Sequence, residues 1–243
     1  MMIVNAVWEE RNLGVTTTEI TIEKDDDADS IDKQLSLISS EYSVVKVPSG
    51  MGYFLKIVQR HGYVFIEDMI HVEHDLNEVA MSRVLKRLHE RTSYREMNDS
   101  DFEQLQKEIE KGMFGNDRIS NDDFFPKGTS SKRYTNWTKD LREKDAKFFV
   151  ITYNGDGAGF VVLDKKGENT YHSVIGGGYE KYRKSGLGII QKEPEITRML
   201  GGKRLITSVS SNNVGQLKAL LLNGYKPYSI DHVLVKHKGV QYE

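Results

Sequence analysis

Residues 147–178 carry the pattern that most constrains the fold of this chain. Three apolar runs in this segment are separated by the turn sequences Asn-Gly-Asp-Gly and Asp-Lys-Lys-Gly. Short loops rich in asparagine and glycine join neighbouring antiparallel strands, because these residues tolerate a positive φ. The segment therefore predicts a three-stranded antiparallel meander, which needs helices or further strands to cover its faces.

Strand and helix patterns alternate through the rest of the chain. Before the meander the patterns predict strands at 16–24, 42–48, 63–74 and 92–97 and helices at 29–40, 51–62, 77–91, 98–112 and 133–145. After it they predict a helix at 187–200, a strand at 203–211, a helix at 212–224 and a final strand. This order predicts an α/β protein with a small N-terminal domain at 1–91 and a second domain at 92–243.

Two further features concern the organisation of the chain. Segments 44–74 and 205–237 share the order strand, helix, Gly-Tyr, strand, and both end in histidine. This similarity allows an internal duplication, but any two strand-helix-strand units would show it. The polar, aperiodic stretch 115–131 predicts a long loop that lies over a functional site.

Composition excludes several classes of function. The 243 residues are 38% hydrophobic and carry a net charge of -2, so a large core is expected and a broad basic surface for nucleic acid is not. With no cysteine there is no disulfide, thiolate nucleophile or cysteine-ligated zinc. No apolar run approaches the ~20 residues that span a membrane, and the N-terminus lacks a signal-peptide pattern, so we expect a cytoplasmic protein without a membrane partner.

The loop after the meander predicts an anion site. It reads Arg183-x-x-Gly186-x-Gly188 between a strand and a helix. Glycines let the backbone approach a ligand closely, and the N–H groups at a helix start bind anions. The loop lacks the Gly-Lys-Ser or Gly-Lys-Thr ending of the P-loop in nucleotide triphosphatases. It also lacks the Gly-x-Gly-x-x-Gly fingerprint of dinucleotide-binding proteins. A plain glycine-rich turn is the alternative interpretation.

In its context this loop resembles the signature of the GNAT superfamily of acyl-CoA-dependent acetyltransferases. The loop follows an antiparallel meander and precedes a helix, a strand, a helix led by Asn213 and the Gly224-Tyr225 step. The resemblance covers about residues 92–240. It implies a GNAT fold with a mixed, mostly antiparallel sheet, acetyl-CoA as cosubstrate and no metal. The cofactor-binding positions it implies are Arg183, Lys184, Ser185, Gly186, Leu187, Gly188 and Asn213.

The first 75 residues resemble, more loosely, the N-terminal domain of the GNAT branch that includes TDP-fucosamine acetyltransferase. Trp8-Glu9, Leu13-Gly14 and a strand that ends at Pro48 stand at recurrent positions of that branch. The resemblance implies direct transfer of an acetyl group to the primary amine of a nucleotide-linked amino sugar, and it allows a homodimer. The alternatives are acetylation of another amine, such as an amino acid or a protein terminus, and a non-catalytic CoA-binding module.

The catalytic residues are less clearly marked. The family's tyrosine, which protonates the leaving thiolate, falls on Leu220 here, so Tyr225 or Tyr228 would have to replace it, or the thiolate leaves without an acid. His172, on a strand that leads to the expected cleft, is the predicted proton acceptor, with a purely structural histidine as the alternative. His71 and His74 point to opposite faces of a strand, which argues against a metal pair.

Two sequence features conflict with the expected cleft. Pro194 falls inside the predicted helix 187–200, where proline costs ~3 kcal/mol unless the helix kinks or restarts. Three successive glycines, 176–178, end the third strand of the meander. They predict either that this strand end is mobile or that a ligand approaches its backbone very closely.

Overall fold

The fold comes from a computed structural model, which describes residues 1–183, 185 and 187–240. The ten strands are β1 (Met2–Asn5), β2 (Thr17–Thr21), β3 (Tyr42–Pro48), β4 (Val64–His74), β5 (Thr92–Glu96), β6 (Lys147–Tyr153), β7 (Asp156–Lys165), β8 (Thr170–Gly178), β9 (Arg204–Ser210) and β10 (Lys226–His237). The eight α-helices are α1 (Val7–Leu13), α2 (Ala28–Ser36), α3 (Gly52–Arg60), α4 (Arg83–Glu90), α5 (Asp99–Glu110), α6 (Thr129–Glu143), α7 (Lys192–Met199) and α8 (Val214–Leu222). These counts refer to the described residues.

The predicted meander is confirmed. β6, β7 and β8 form consecutive antiparallel pairs. The loop between β6 and β7 is a two-residue turn, Asn154-Gly155, in which both residues have positive φ, at 51° and 90°. Two positive φ values give the turn the twist of the flanking strands, so local chemistry sets this hairpin.

All ten strands belong to one mixed sheet, in the order β1-β2-β3-β10-β4-β9-β8-β7-β6-β5. The pairs β2/β3 and β8/β9 are parallel, and the other pairs are antiparallel. The predicted α/β class with a mostly antiparallel sheet is therefore confirmed.

Helices cover both faces of this sheet. On β7, Val161 and Leu163 pack with α7 and α8, whereas Phe160 and Val162 pack with α5 and α6. We call the α7 side the back face and the α5 side the front face. Because side chains alternate along a strand, neighbouring residues of β7 contribute to different cores. The helices α2 and α3 form a further core with Leu234, and α1 packs beside α6.

The two segments with similar sequence patterns interleave in the sheet. β3-α3-β4 comes from the first half of the chain and β9-α8-β10 from the second. β10 lies between β3 and β4, and β4 lies between β10 and β9. From β2 to β8 the sequence of pairings is symmetric. A parallel pair stands at each end, β2/β3 and β8/β9, and three antiparallel pairs lie between them. The two units occupy equivalent places, and their origin by duplication stays a hypothesis.

This interleaving bears on the division of the chain. β4 lies before residue 91, yet its partners are β9 and β10, so the two predicted domains share one sheet. The boundary at 91 stays a prediction. β1 and α1, which the patterns did not predict, extend the sheet and pack beside α6.

A buried charge cluster also joins the N-terminal helix to the front face. Glu9 on α1 is 1% exposed. Its carboxylate accepts hydrogen bonds from Arg133 Nε at 2.6 and 2.9 Å and lies 3.5 Å from the Arg118 guanidinium. Arg118 also binds Glu19 on β2 at 2.7 Å, and this pairing helps to lower the pKa of Glu19 to about 2 although burial opposes the shift. Two arginines and two glutamates thus connect α1, β2, α6 and the loop before α6.

The predicted long loop at 115–131 is confirmed as a connection without helix or strand, residues 111–128, and it lies over the front face. Ile119 and Phe125 are buried against β3 and β10, and Ser130 donates to Asp117 at 2.9 Å. α6 begins at Thr129, earlier than the predicted start at 133. The long connection is held by apolar anchors and the charge cluster.

Among the described residues, no helix is long and apolar enough to cross a membrane.

We expect Gly159→Ala to lower the free energy of unfolding by about 1–3 kcal/mol, the usual cost of overpacking a core. A Cβ atom at Gly159 would lie 2.5 Å from the Gly177 carbonyl oxygen and 2.7 Å from Ile189 Cδ1. Chemical denaturation measures the change. Gly167→Ala is the control, because nothing lies within 4 Å of the Cβ atom that this substitution would add. Equal stabilities of the two variants would contradict the tight contact of β7 with β8.

Candidate active site

The sheet opens between β8 and β9. These parallel strands pair over only three residues, ending at His172 and Ile206. Beyond that point both strands continue, β8 to Gly178 and β9 to Ser210, without pairing to each other. Thr207 Oγ1 still donates to the Ser173 carbonyl at 2.7 Å. The separation leaves two backbone edges facing each other across a gap, where N–H groups are available to a ligand.

A cleft of about 320 Å³ fills this gap. Its walls are Ser173–Gly176 of β8 and Thr207–Ser210 of β9. On the back face it reaches Glu193 and Leu220, and on the front face it reaches Tyr134 and Trp137 of α6. The cleft therefore passes through the sheet from one face to the other.

Glu193 is the main titratable group at the back end of the cleft. It is 5% exposed, and its Oε2 atom accepts a hydrogen bond of 2.8 Å from the Tyr225 hydroxyl. Burial raises the pKa of Glu193 to about 7, although hydrogen bonds from Tyr225 and Ser173 act in the opposite direction. A carboxyl group with this pKa is partly protonated at neutral pH, so it can donate a proton inside the cleft.

The front end is lined by charged and aromatic groups. Glu67 on β4 is 2% exposed, accepts a hydrogen bond of 2.5 Å from Ser210, and has its pKa raised by burial. Arg118 and Arg133 of the charge cluster also line this end, and the Arg133 guanidinium lies 5.7 Å from the Trp137 ring centre. The front end thus presents a buried carboxyl group and an aromatic wall to a polar ligand.

The three glycines at the end of β8 allow a close approach of other groups. A Cβ at Gly176 would lie 3.2 Å from the Phe160 carbonyl oxygen and 3.4 Å from Glu193 Oε1. One at Gly178 would lie 3.2 Å from Ile189 Cδ1. No positive φ is needed at these positions, so space is the reason for glycine here.

The predicted anion loop follows β8 after a short 3-10 turn at Glu180–Tyr182. Arg183 and Ser185 are exposed, Leu187 is buried, and Gly188 adopts the left-handed conformation with φ 62°. Ser185 Oγ donates to the Tyr182 carbonyl at 2.5 Å. Lys184 and Gly186 lie outside the described residues. The described part leaves Arg183 accessible at the end of the strand that lines the cleft.

The helix after this loop explains how Pro194 is accommodated. Ile189–Gln191 form a short 3-10 turn, and α7 begins only at Lys192. Pro194 therefore lies in the first turn of α7, where the N–H groups have no acceptor within the helix. The prediction of one helix from 187 is wrong, and its alternative of a restart is confirmed. The restart also directs Glu193 into the protein.

His172 and Asn213 both line the cleft. His172 is half-buried, and burial lowers its pKa, so the neutral, proton-accepting form prevails at pH 7. Asn213 is the N-cap of α8, and its side chain accepts a hydrogen bond of 3.1 Å from the Gln216 N–H. Asn213 thus caps α8 and also faces the cleft.

The two predicted tyrosines occupy different places. Tyr225 is 2% exposed in the back core and reaches the cleft only through its hydrogen bond to Glu193. Burial raises the pKa of Tyr225 well above its usual value. Tyr228 is 48% exposed on β10, lies 6.0 Å from the His71 ring and is not among the residues that line the cleft. Leu220, at the position where the resemblance would place a tyrosine, is buried at the back end.

Sequence reasoning missed Glu193 and Glu67. Glu193 stands next to Pro194 in a charged stretch, which resembles a solvated helix start, and Glu67 belongs to an alternating strand. Neither position carries a recognisable motif. Only the position of α7 beside the gap and of β4 next to β9 shows that these carboxyl groups face the cleft.

A second cavity, about 500 Å³, lies on the other side of α7. It is lined by α4, the segment before it and the ends of α7 and α8. Although this cavity is larger, it does not reach the open edges of β8 and β9. The cleft is therefore the better candidate site. Within the described residues no cluster of histidine, aspartate and glutamate could hold a metal ion, and His71 and His74 do lie on opposite faces.

Sequence comparisons do not place the chain in a family: no family model matches it, and no curated protein matches it. Solved structures do match. A conserved protein of unknown function from Staphylococcus epidermidis has a TM-score of 0.61 at 13% identity, over 91% of this chain and 84% of its own. A GCN5-related N-acetyltransferase from Sphaerobacter thermophilus has a TM-score of 0.57 at 15% identity, over 86% of this chain and 65% of its own.

A further GCN5-related N-acetyltransferase, from Kribbella flavida, has a TM-score of 0.53 at 13% identity, over 93% of this chain and 82% of its own. At these identities the likeness concerns the fold. The chain therefore has the α/β fold of the GCN5-related N-acetyltransferases.

Proposed function

We propose that this protein is an N-acetyltransferase that moves an acetyl group from acetyl-CoA to a primary amine. The observation that carries the proposal is the gap between β8 and β9, which the cleft crosses from the α7 side to the α6 side. In this arrangement Arg183, the loop around it and Asn213 bind CoA. The open strand edges bind the thioester carbonyl, where N–H donors stabilise the oxyanion as the amine attacks directly.

Two proton transfers accompany this attack. The amine must lose a proton, and the leaving thiolate must gain one. We assign the first to His172, which lines the cleft in its neutral form. We assign the second to Glu193, whose raised pKa keeps a proton available beside the back end of the cleft. Tyr225 then positions Glu193, and Tyr228 has no part in the reaction.

For the acceptor we propose a nucleotide-linked amino sugar. The front end of the cleft offers Trp137 for stacking on a sugar ring and the Glu67 carboxyl group for polar contacts. One structure of the same fold is described as a glucosamine N-acetyltransferase region of a fungal enzyme, with a TM-score of 0.55 at 12% identity and cover of 25% of that chain. Another small amine and a non-catalytic CoA-binding module are the competing functions.

Calorimetric titration with acetyl-CoA and CoA tests the cofactor, and release of free thiol on addition of amines tests the reaction. We expect Arg183→Glu to weaken CoA binding about 10- to 100-fold, because a hydrogen bond to a charged group contributes roughly 1.5–3 kcal/mol. Lys33→Glu, an equal change of charge on exposed α2, is the control and should bind CoA normally.

Unchanged affinity in Arg183→Glu would contradict the role of the loop, and absence of CoA binding would refute the function as a whole. Binding without thiol release for any amine would leave the CoA-binding module as the function. A screen that includes amino sugars, amino acids and peptide amines separates the acceptor classes.

A further inference from the structure

Three side chains on neighbouring strands form a chain of hydrogen bonds on the front face. Ser208 Oγ lies 2.8 Å from His71 Nδ1, and His71 Nε2 lies 2.9 Å from an Asp231 carboxylate oxygen. The three residues come from β9, β4 and β10, which are adjacent in the sheet. We call this set the serine array.

The hydrogen bonds define the protonation of the imidazole. The Asp231 carboxylate accepts the Nε2 proton, so Nδ1 is left with a lone pair directed at the Ser208 hydroxyl. A serine hydroxyl next to an imidazole base, with that base oriented by a carboxylate, is the arrangement that makes serine a nucleophile. The serine array has both contacts within hydrogen-bond distance.

Access distinguishes Ser208 from a structural serine. Ser208 is exposed, and it lines the cleft beside the open edge of β9. The His71 and Asp231 side chains are only 23% and 21% exposed, so a ligand in the cleft meets the hydroxyl first. The facing edges of β8 and β9 have no strand partner here, which supplies backbone N–H groups for an oxyanion.

We propose that Ser208 is a nucleophile that takes an acyl group from a thioester or ester bound in the cleft and passes it to water when no amine is present. Ser208 Oγ attacks the acyl carbon while His71 takes the hydroxyl proton. The bond from the acyl carbon to the leaving sulfur or oxygen breaks, and the proton goes to the leaving group. Water then cleaves the acyl-serine ester, with its proton returned to Ser208 Oγ through His71. Acyl hydrolysis is thus a second activity of the same cleft.

The test uses a fluorophosphonate probe and p-nitrophenyl acetate, which need no CoA site. We expect covalent labelling of Ser208, found by peptide mass spectrometry, and hydrolysis of the ester. Ser208→Ala should abolish both. His71→Ala should slow them by about 100-fold, the usual contribution of a general base, and Asp231→Asn should slow them less. Circular dichroism confirms that the variants remain folded.

The chain provides a matched control on the back face. His232 Nδ1 lies 2.7 Å from Asp68, on the same two strands as His71 and Asp231. His232→Ala should therefore leave labelling unchanged. Labelling at another residue, no labelling, or an unchanged rate in His71→Ala would each overturn the proposal. So would slower amine acetylation in Ser208→Ala without any acyl-serine, which would make Ser208 a proton relay. Failure to bind CoA would refute the proposed function and not the serine array.

Discussion

Glu9→Ala is expected to lower the free energy of unfolding by about 3–5 kcal/mol, the cost of removing one partner from a buried ion pair. The substitution leaves Arg133 without the carboxylate that it contacts at 2.6 Å, and it removes one of the two carboxylates around Arg118. Both guanidinium groups would then be buried with less compensation. Chemical denaturation measures the loss.

Glu10→Ala is the matched control for this experiment. Glu10 is the next residue of α1, but its side chain is exposed, so we expect a change within about 0.5 kcal/mol. Equal effects of the two substitutions would show that the charge cluster does not hold α1 on the front face. A partial loss in Glu9→Gln, which keeps hydrogen-bond acceptors but not the charge, would separate the two contributions.

Glu193→Gln is expected to lower the turnover of amine acetylation by about 10²- to 10⁴-fold, the range for loss of a general acid. The amide keeps the shape of the carboxyl group and can still accept from Tyr225, but it has no proton to give the thiolate. Affinity for CoA should stay close to that of the natural protein, since Arg183 and its loop are unchanged. Steady-state kinetics and calorimetry separate the two quantities.

Glu195→Gln is the control for Glu193→Gln. It lies on the same helix, but its carboxylate pairs with Lys192 and lines the second cavity. Normal turnover is expected for it. If Glu193→Gln keeps normal turnover as well, Glu193 does not protonate the thiolate.

Stability gives a second check on Glu193. Its pKa in the folded protein is raised from 4.5 to about 7, so the stabilisation from its bound proton is present below 4.5 and is lost as pH rises through about 7. Glutamine does not titrate. Between about pH 5 and about pH 8, the stability of Glu193→Gln relative to the natural protein should therefore rise, by an amount on the order of 3 kcal/mol. A constant difference would contradict the raised pKa.

Several parts of the fold could be predicted because they depend on local chemistry. The meander follows from Asn154-Gly155 and the apolar runs around it, since a two-residue turn with positive φ allows few other arrangements. The loop around Arg183 was predicted as an anion site from equally local features, and this role stays a prediction. Its glycines, its arginine and its position between strand and helix are all contained in a short segment.

The shape of the helix after that loop needed more than local chemistry. Pro194 showed that an uninterrupted helix was unfavourable, but it did not indicate where the helix restarts. The restart at Lys192 depends on how Ile190 and Ile196 pack into the back core. That packing also buries Glu193, whose surroundings in the sequence resemble those of a solvated residue.

Short stretches of sequence were enough to predict the α/β class and the meander, and they mark the loop with Arg183 as a candidate anion site. The position of β4 between β10 and β9, where Met69 pairs with Ser210 and His71 with Ser208, became known only from the folded chain. An alternating strand pattern predicts that one face of the strand is buried. It does not identify the adjacent strands, because pairing partners come from distant parts of the chain. Such contacts between distant segments place Glu67, Glu193 and the serine array at the cleft. Their chemical roles could therefore be inferred only from the folded sheet.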